Sequence, residues 1–186
     1  KAVAASTADT VVVAEGYTAT PFVPWGTPLF SSGAGASWKG DGSETAADQA
    51  RQVGDNHDGM HFFPIDGRST EGLLVMNHEY TTPLKGGLYL TLFGLPAAPA
   101  NTLDRVNKAI NAWGCSVIHI RQDAKGQWAV VLDSKYNRRL TSASPMELTG
   151  PAAGDALLKT RADASGKHVL GTINNCGNGF TPWGTY

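Results

Sequence analysis

Three short polar runs in this chain hold the residue types that do chemistry. Asp55-Asn56-His57-Asp58-Gly59 sets two carboxylates, a carboxamide and an imidazole side by side. Carboxylates and Asn carbonyls are the ligands a hard cation such as Ca²⁺ takes. The acidic spacing is i, i+3 with no bidentate Glu to follow, so this is not an EF-hand loop; the same residues would also make a solvated Asx turn between a helix and a strand. Asn77-His78-Glu79-Tyr80 ends the apolar run 73–76, which presents polar groups at a strand terminus. Asn174-Asn175-Cys176-Gly177-Asn178-Gly179 surrounds one sulfur with Asn and Gly, in a loop whose backbone can approach a ligand closely. A thiolate there needs cationic help, which a transition metal supplies. A disulfide to Cys115 or a buried free thiol are the other readings of that sulfur, and the residues alone leave all three open.

The elements that must position these runs are short strands. Residues 60–65, an Asp66-Gly67 turn and residues 72–76 read as a hairpin. The first cluster precedes its strand and the second follows its own, so antiparallel pairing sets the two side by side. Asp55, Asp58 and Glu79 with His57 and His78 would then repel unless a cation or hydrogen bonds compensate. Arg138 and Arg139 are adjacent, so on a strand only one can face a given site. A guanidinium fork suits phosphate oxygens, although a plain surface pair fits the same residues. His61, His119 and His168 stand alone and read as structural. No glycine-rich phosphate loop, GxSxG elbow, HExxH or CxxC pair occurs.

Elsewhere, residues 10–14 read as a strand, 21–42 as Pro- and Gly-rich surface loop, and 43–53 as a short helix capped by Ser43 and stopped at Gly54. Residues 81–100 read as a long loop. A helix follows over 102–113, capped by Thr102, with Val106, Ile110 and Trp113 on one face. Residues 116–122 and 127–132 form a second hairpin. Residues 138–149 are extended, with Pro145 at an edge, Gly150-Pro151 opens a short helix to about Leu158, and 169–173 is a last strand. Hairpins with Gly-rich turns and few long helices make the chain mainly β, a propeller or a sandwich.

Composition agrees. Only 17% of the 186 residues are charged, as in extracellular β-proteins whose surfaces are loops, Gly, Ser and Asn. A formal net charge of −1 gives no electrostatic case for nucleic acid. No run approaches the roughly 20 apolar residues that cross a bilayer. The opening Lys1-Ala2-Val3-Ala4-Ala5-Ser6 has the small-residue character found after a processing site.

Taken in order, several stretches resemble the PhoX family of alkaline phosphatases. They are residues 10–16 with Pro24-Trp25-Gly26-Thr27-Pro28, residues 54–64, residues 72–80, Ser134-Lys135-Tyr136-Asn137-Arg138-Arg139, Leu148-Thr149-Gly150-Pro151-Ala152, and 172–186. Only 81–100 looks unlike the family. The resemblance implies a β-propeller around a cluster of ferric iron and calcium ions, and hydrolysis of phosphate monoesters at alkaline pH. It implies a periplasmic or secreted protein whose signal has been removed. By motif position the iron-ligating thiolate falls on Cys176, with Glu79, Asn77, Asp58 and Asn56 as further metal candidates. Cys176 and Glu79 are then the catalytic candidates, and Arg138 and Asn175 the substrate-binding ones. Family members run on past Trp183-Gly184-Thr185-Tyr186 into further acidic residues. Residues 1–186 are therefore expected to be the first blades of one propeller domain, completed by a C-terminal remainder that is absent or a separate chain. Two other functions fit parts of the pattern: a non-catalytic, calcium-stabilised β-domain, and a diesterase or phytase on the same scaffold.

Overall fold

A computed structural model describes residues 2–81 and 102–186 of the chain; the loop expected over 81–100 lies, but for its first residue, outside the described residues. Helix α1 (Ala46–Gln49) is a single turn closed by a capping box: Thr45 Oγ1 accepts from Asp48 N, and the Asp48 carboxylate accepts from Thr45 N. The helix expected over 43–53 is thus shorter and starts later, because Thr45 rather than Ser43 supplies the cap. Helix α2 (Leu103–Ala112) is capped by Thr102, whose hydroxyl accepts from Arg105 N, as the sequence predicts. Its buried residues are Lys108 and Ala112, while Val106 is exposed. Lys108 Nζ donates to Gly42 O at 2.6 Å, and the charges of Glu44 and Asp104 favour its ammonium against desolvation.

Strands β1 (His57–Pro64), β2 (Glu71–His78) and β3 (Gly114–Gln122) form an antiparallel sheet in that order. The far edge of β3 is shared end to end by two short strands. β4 (Trp128–Val130) pairs with its last residues, and β5 (Arg138–Leu140) pairs with Cys115, Ser116 and Val117. β6 (Pro145–Glu147) and β7 (His168–Leu170) make a separate antiparallel pair. The chain is mainly β, as expected, but the sheets among the described residues are open and do not close into a ring.

Period-2 alternation on β2 and β3 splits the apolar residues between two faces. Leu74, Met76, Ile118 and Ile120 pack with Val23, Leu29 and Val53 on one side. Val75, Cys115 and Val117 pack with Phe63, Leu73 and Leu140 on the other. Asn137 ties the loops to the first face: its Nδ2 donates to Leu29 O and Val131 O, and its Oδ1 accepts from His119 N.

Two expected elements do not form. Residues 10–14 make no strand, and Val11, Val12 and Val13 are exposed; β-branched residues favour a strand only where a partner edge receives them. The helix expected from Gly150 contracts to a 3₁₀ turn at Ala156–Leu158, because Gly150 and Gly154 adopt φ of 82° and 84° and break any helical run. The extended run 138–149 likewise divides into β5 and β6.

Gly114 opens β3 at φ 103°, and a Cβ there would stand 1.9 Å from Leu140 O. Gly114→Ala should destabilise the fold by on the order of 3 kcal/mol through combined clash and backbone strain. A drop in the thermal midpoint reads this; an unchanged midpoint would show that the β3–β5 approach is looser than described.

Candidate metal centre

β1 begins with a bulge. His57 pairs with His78 and Met60 with Met76, so β1 carries one more residue than β2 between those pairs. A bulge re-aims a side chain, and this one contains Asp58 and Gly59. β2 ends at His78, and the next residue, Glu79, donates its N–H to Asn56 O at 3.0 Å. Asn56 sits at φ 44°, a conformation Asn tolerates, and its Nδ2 donates to Asp55 Oδ2 and Tyr80 O. The two polar clusters therefore meet at one end of the hairpin, as antiparallel pairing requires.

The third run arrives from far along the chain. Gly59 N donates to Cys176 O at 3.1 Å, and Tyr186 Oη donates to Gly59 O at 2.8 Å. Asn77 Nδ2 reaches Cys176 O at 2.8 Å and Gly177 O at 3.2 Å. So held, Cys176 turns its thiol to Glu79 Oε1 at 3.1 Å. One ligand atom each from Asp58, Glu79 and Cys176 then lies within 4.8 Å of the others. Both cysteines are free and Cys115 is buried, which removes the disulfide reading.

Electrostatics give this arrangement its character. The Cys176 thiol is pushed above its ordinary pKa by its hydrogen bond to Glu79, with burial and the Glu79 and Asp58 charges adding to it. Two carboxylates thus hold the proton on sulfur. A cation between them would reverse that balance, since it offsets the carboxylate repulsion and favours the thiolate. The donor set fits: sulfur suits a transition metal, and carboxylate oxygen suits a hard divalent ion as well.

Behind the centre lies a buried relay on the opposite sheet face. Arg139 donates to Ser116 Oγ at 2.9 Å and to Asn111 O and Trp113 O. Ser116 Oγ lies 2.6 Å from His78 Nε2, and His78 Nδ1 lies 3.2 Å from Asp55 O. With Arg139 donating to it, the Ser116 hydroxyl gives its own proton to Nε2, which leaves the His78 proton on Nδ1, facing Asp55 O. Burial, with the Arg139 and His57 charges, pulls the His78 pKa down to about 2, so the imidazole is neutral. Burial alone pushes the Asp55 carboxyl up to about 6, against the pull of the Asn56 N–H.

The other expected residues are placed as follows. Asn175 accepts from Thr172 Oγ1 within its own loop. Arg138 pairs with Val117, on the sheet face that carries Asn77 and Cys115, while its Nη1 donates to Tyr136 O. Arg139 takes the opposite face, as alternation demands. The sequence reading passed over Gly59 and Tyr186. Gly59 carried a usable signal, because a glycine inside a strand pattern marks a bulge or a close backbone approach. A Cβ at Gly59 would meet Asn178 N, Asn178 Oδ1 and Cys176 O at 2.7–2.8 Å. Gly59→Ala should push the 176–178 segment off β1 and weaken cation binding at least tenfold, the effect expected when ligand placement is lost, with little change in the sheet. Calorimetric metal titration and circular dichroism check the two halves of that statement.

Two comparisons with known proteins bear on this centre. The family model for alkaline phosphatase PhoX matches residues 1–186. Among solved structures, Pseudomonas fluorescens PhoX in complex with vanadate, a transition state analogue, is 41% identical with a TM-score of 0.84. That match covers 96% of this chain and 29% of the other, so the chain spans under a third of that protein's length. A search of curated proteins gave no match. With its whole length matched by one family model and its fold shared at this identity, the chain belongs to the PhoX family of alkaline phosphatases.

Proposed function

We propose that this chain is the N-terminal part of an exported, metal-dependent alkaline phosphatase that hydrolyses phosphate monoesters. The observation that carries the reading is the convergence of Asp58, Glu79 and Cys176 from a strand bulge, a strand end and a loop 97 residues beyond Glu79. A thiol set between two carboxylates is a donor set that a bound cation would satisfy.

In this reading Cys176 binds ferric iron through sulfur, and Glu79, Asp58 and Asn56 supply oxygen to iron or calcium. Bound ions would neutralise the charge that builds on the phosphoryl oxygens and activate an oxygen nucleophile. The chain's own residues do the preparatory work. Glu79 Oε1 already accepts the Cys176 S–H, so it orients the sulfur, whose proton would leave to solvent when a cation is bound. The neutral His78 holds Asp55 O through Nδ1, which steadies the 54–56 loop that in turn receives Glu79 N. Asn175, one residue before the sulfur, and Arg138, on the same sheet face as Asn77, are the proposed contacts to substrate oxygens.

The remaining part of the phosphatase is proposed to pack on the surface that residues 145–170 leave open and to complete the propeller. Leu157 is 94% exposed and Leu170 66%, beside the two-stranded β6–β7 sheet. Solvent-facing apolar side chains next to unpaired edges are what a neighbouring blade would cover. In hydrogen exchange, residues 145–170 should be protected in the complete protein and exchange freely in residues 1–186 alone. Equal exchange in both would exclude that contact.

An exported calcium-only domain would use the carboxylates equally well, but the sulfur beside them has no role in it. Cys176→Ser in the complete protein should lose visible absorption, iron content and monoesterase activity together, while Cys115→Ser keeps all three. If the two variants behave alike, sulfur at 176 is not a ligand and the iron assignment fails. No helix among the described residues is long and apolar enough to cross a membrane.

A further inference from the structure

We infer that Asn77 is a positioning residue whose side-chain N–H₂ orients the Cys176–Gly177 peptide, a role distinct from ligating a cation through its oxygen. The inference rests on the cation-binding reading above.

Asn77 is 5% exposed and lies opposite Cys115 in the β2–β3 register. It extends the apolar face formed by Val75, Cys115 and Val117. A carboxamide there is costly unless its polar atoms are paired. Its nitrogen is paired twice, with Cys176 O at 2.8 Å and Gly177 O at 3.2 Å. The assignment of nitrogen over oxygen follows from the partners. Both are carbonyl acceptors, so turning the amide over would set Oδ1 against two oxygens. Cys176 O is held from a second direction by Gly59 N at 3.1 Å. Two donors on one carbonyl and a third bond to the next fix the peptide plane and so limit the directions open to the Cys176 side chain. From that plane the sulfur reaches Glu79 Oε1. Asn77 and Glu79 are two residues apart at one strand end, so the residue that aims the thiol and the residue that meets it move as a unit.

The two roles for Asn77 respond in opposite ways to one substitution. A ligand oxygen survives Asn77→Asp, and the added charge strengthens cation binding. A donor does not survive it, because a carboxylate would face two carbonyl oxygens. In the complete phosphatase, Asn77→Asp should reduce bound iron at least tenfold in metal-limited titration. In the same protein stripped of metal, amide exchange at Gly59 and across 174–179 should rise about tenfold, the change that losing one or two net hydrogen bonds produces. Asn77→Ser keeps one short donor and should fall between parent and Asn77→Asp in both measurements; it carries the test if Asn77→Asp does not fold. Iron retained or tightened in Asn77→Asp overturns the inference, and so does iron loss without faster exchange, which would mark a direct ligand. The exchange measurement needs no metal. If Cys176→Ser shows that sulfur binds no iron, faster exchange at 174–179 still reports whether Asn77 holds the peptide, so the two failures are separable.

Discussion

The grip of β1 and β2 on the peptide that follows Cys176 is the contact on which the centre depends. It joins residues more than a hundred positions apart, Gly59 and Cys176, and closing so long a span carries an entropic cost that grows slowly with its length. Against that stand a few hydrogen bonds worth about 0.5–1.5 kcal/mol each in net terms: Gly59 N, the Asn77 pair and Tyr186 Oη. His61 adds a stacked contact with Phe180 at 3.8 Å. The sum is modest. A centre built this way is held by several weak bonds acting together, and ligation across it would contribute far more than any one of them.

Rigidity comes from the opposite face of the sheet. His78, Ser116 and Arg139 share the face of the main core, while Asn77, Cys115 and Leu140 share the other. Arg139 is half-buried, and desolvation of its guanidinium lowers its pKa to about 10, opposed by Cys115, so it stays charged at neutral pH. Its three oxygen partners come from the end of α2, from Trp113 and from β3. A partly desolvated guanidinium with that many fixed acceptors tolerates little displacement, because any lost bond leaves its charge underpaired. The relay therefore locks α2, β3 and the end of β2 into one unit, and Glu79 leaves that unit with a defined direction.

How much of this was legible in the sequence depends on whether local or distant forces decide each feature. The meeting of 55–58 with 77–79 was legible because antiparallel pairing leaves no alternative once the two strands are granted. Helix α2 was legible through Thr102, whose hydroxyl caps it. Which arginine would turn inward was not. Alternation says that Arg138 and Arg139 part company, but only the β3–β5 register, with Ser116 opposite Arg139, chooses the inward one. Residues 10–14 failed for a related reason: their composition suits a strand, yet pairing is a property of a neighbour. The approach of Cys176 to Glu79 was expected from family resemblance; spacing and periodicity gave no hint of it, since nothing local ties positions 97 residues apart.

The same loop also settles a problem that β1 creates. Among the described residues β1 is the outer strand of its sheet, and an outer strand exposes unpaired N–H and C=O groups to any passing chain. At Gly59 both groups are engaged, the N–H by Cys176 O and the carbonyl by Tyr186 Oη. The bulge at that point bends the strand away from regular pairing, and glycine lets the 176–178 backbone lie against it. Blocking an edge and delivering a sulfur are thus one act of packing.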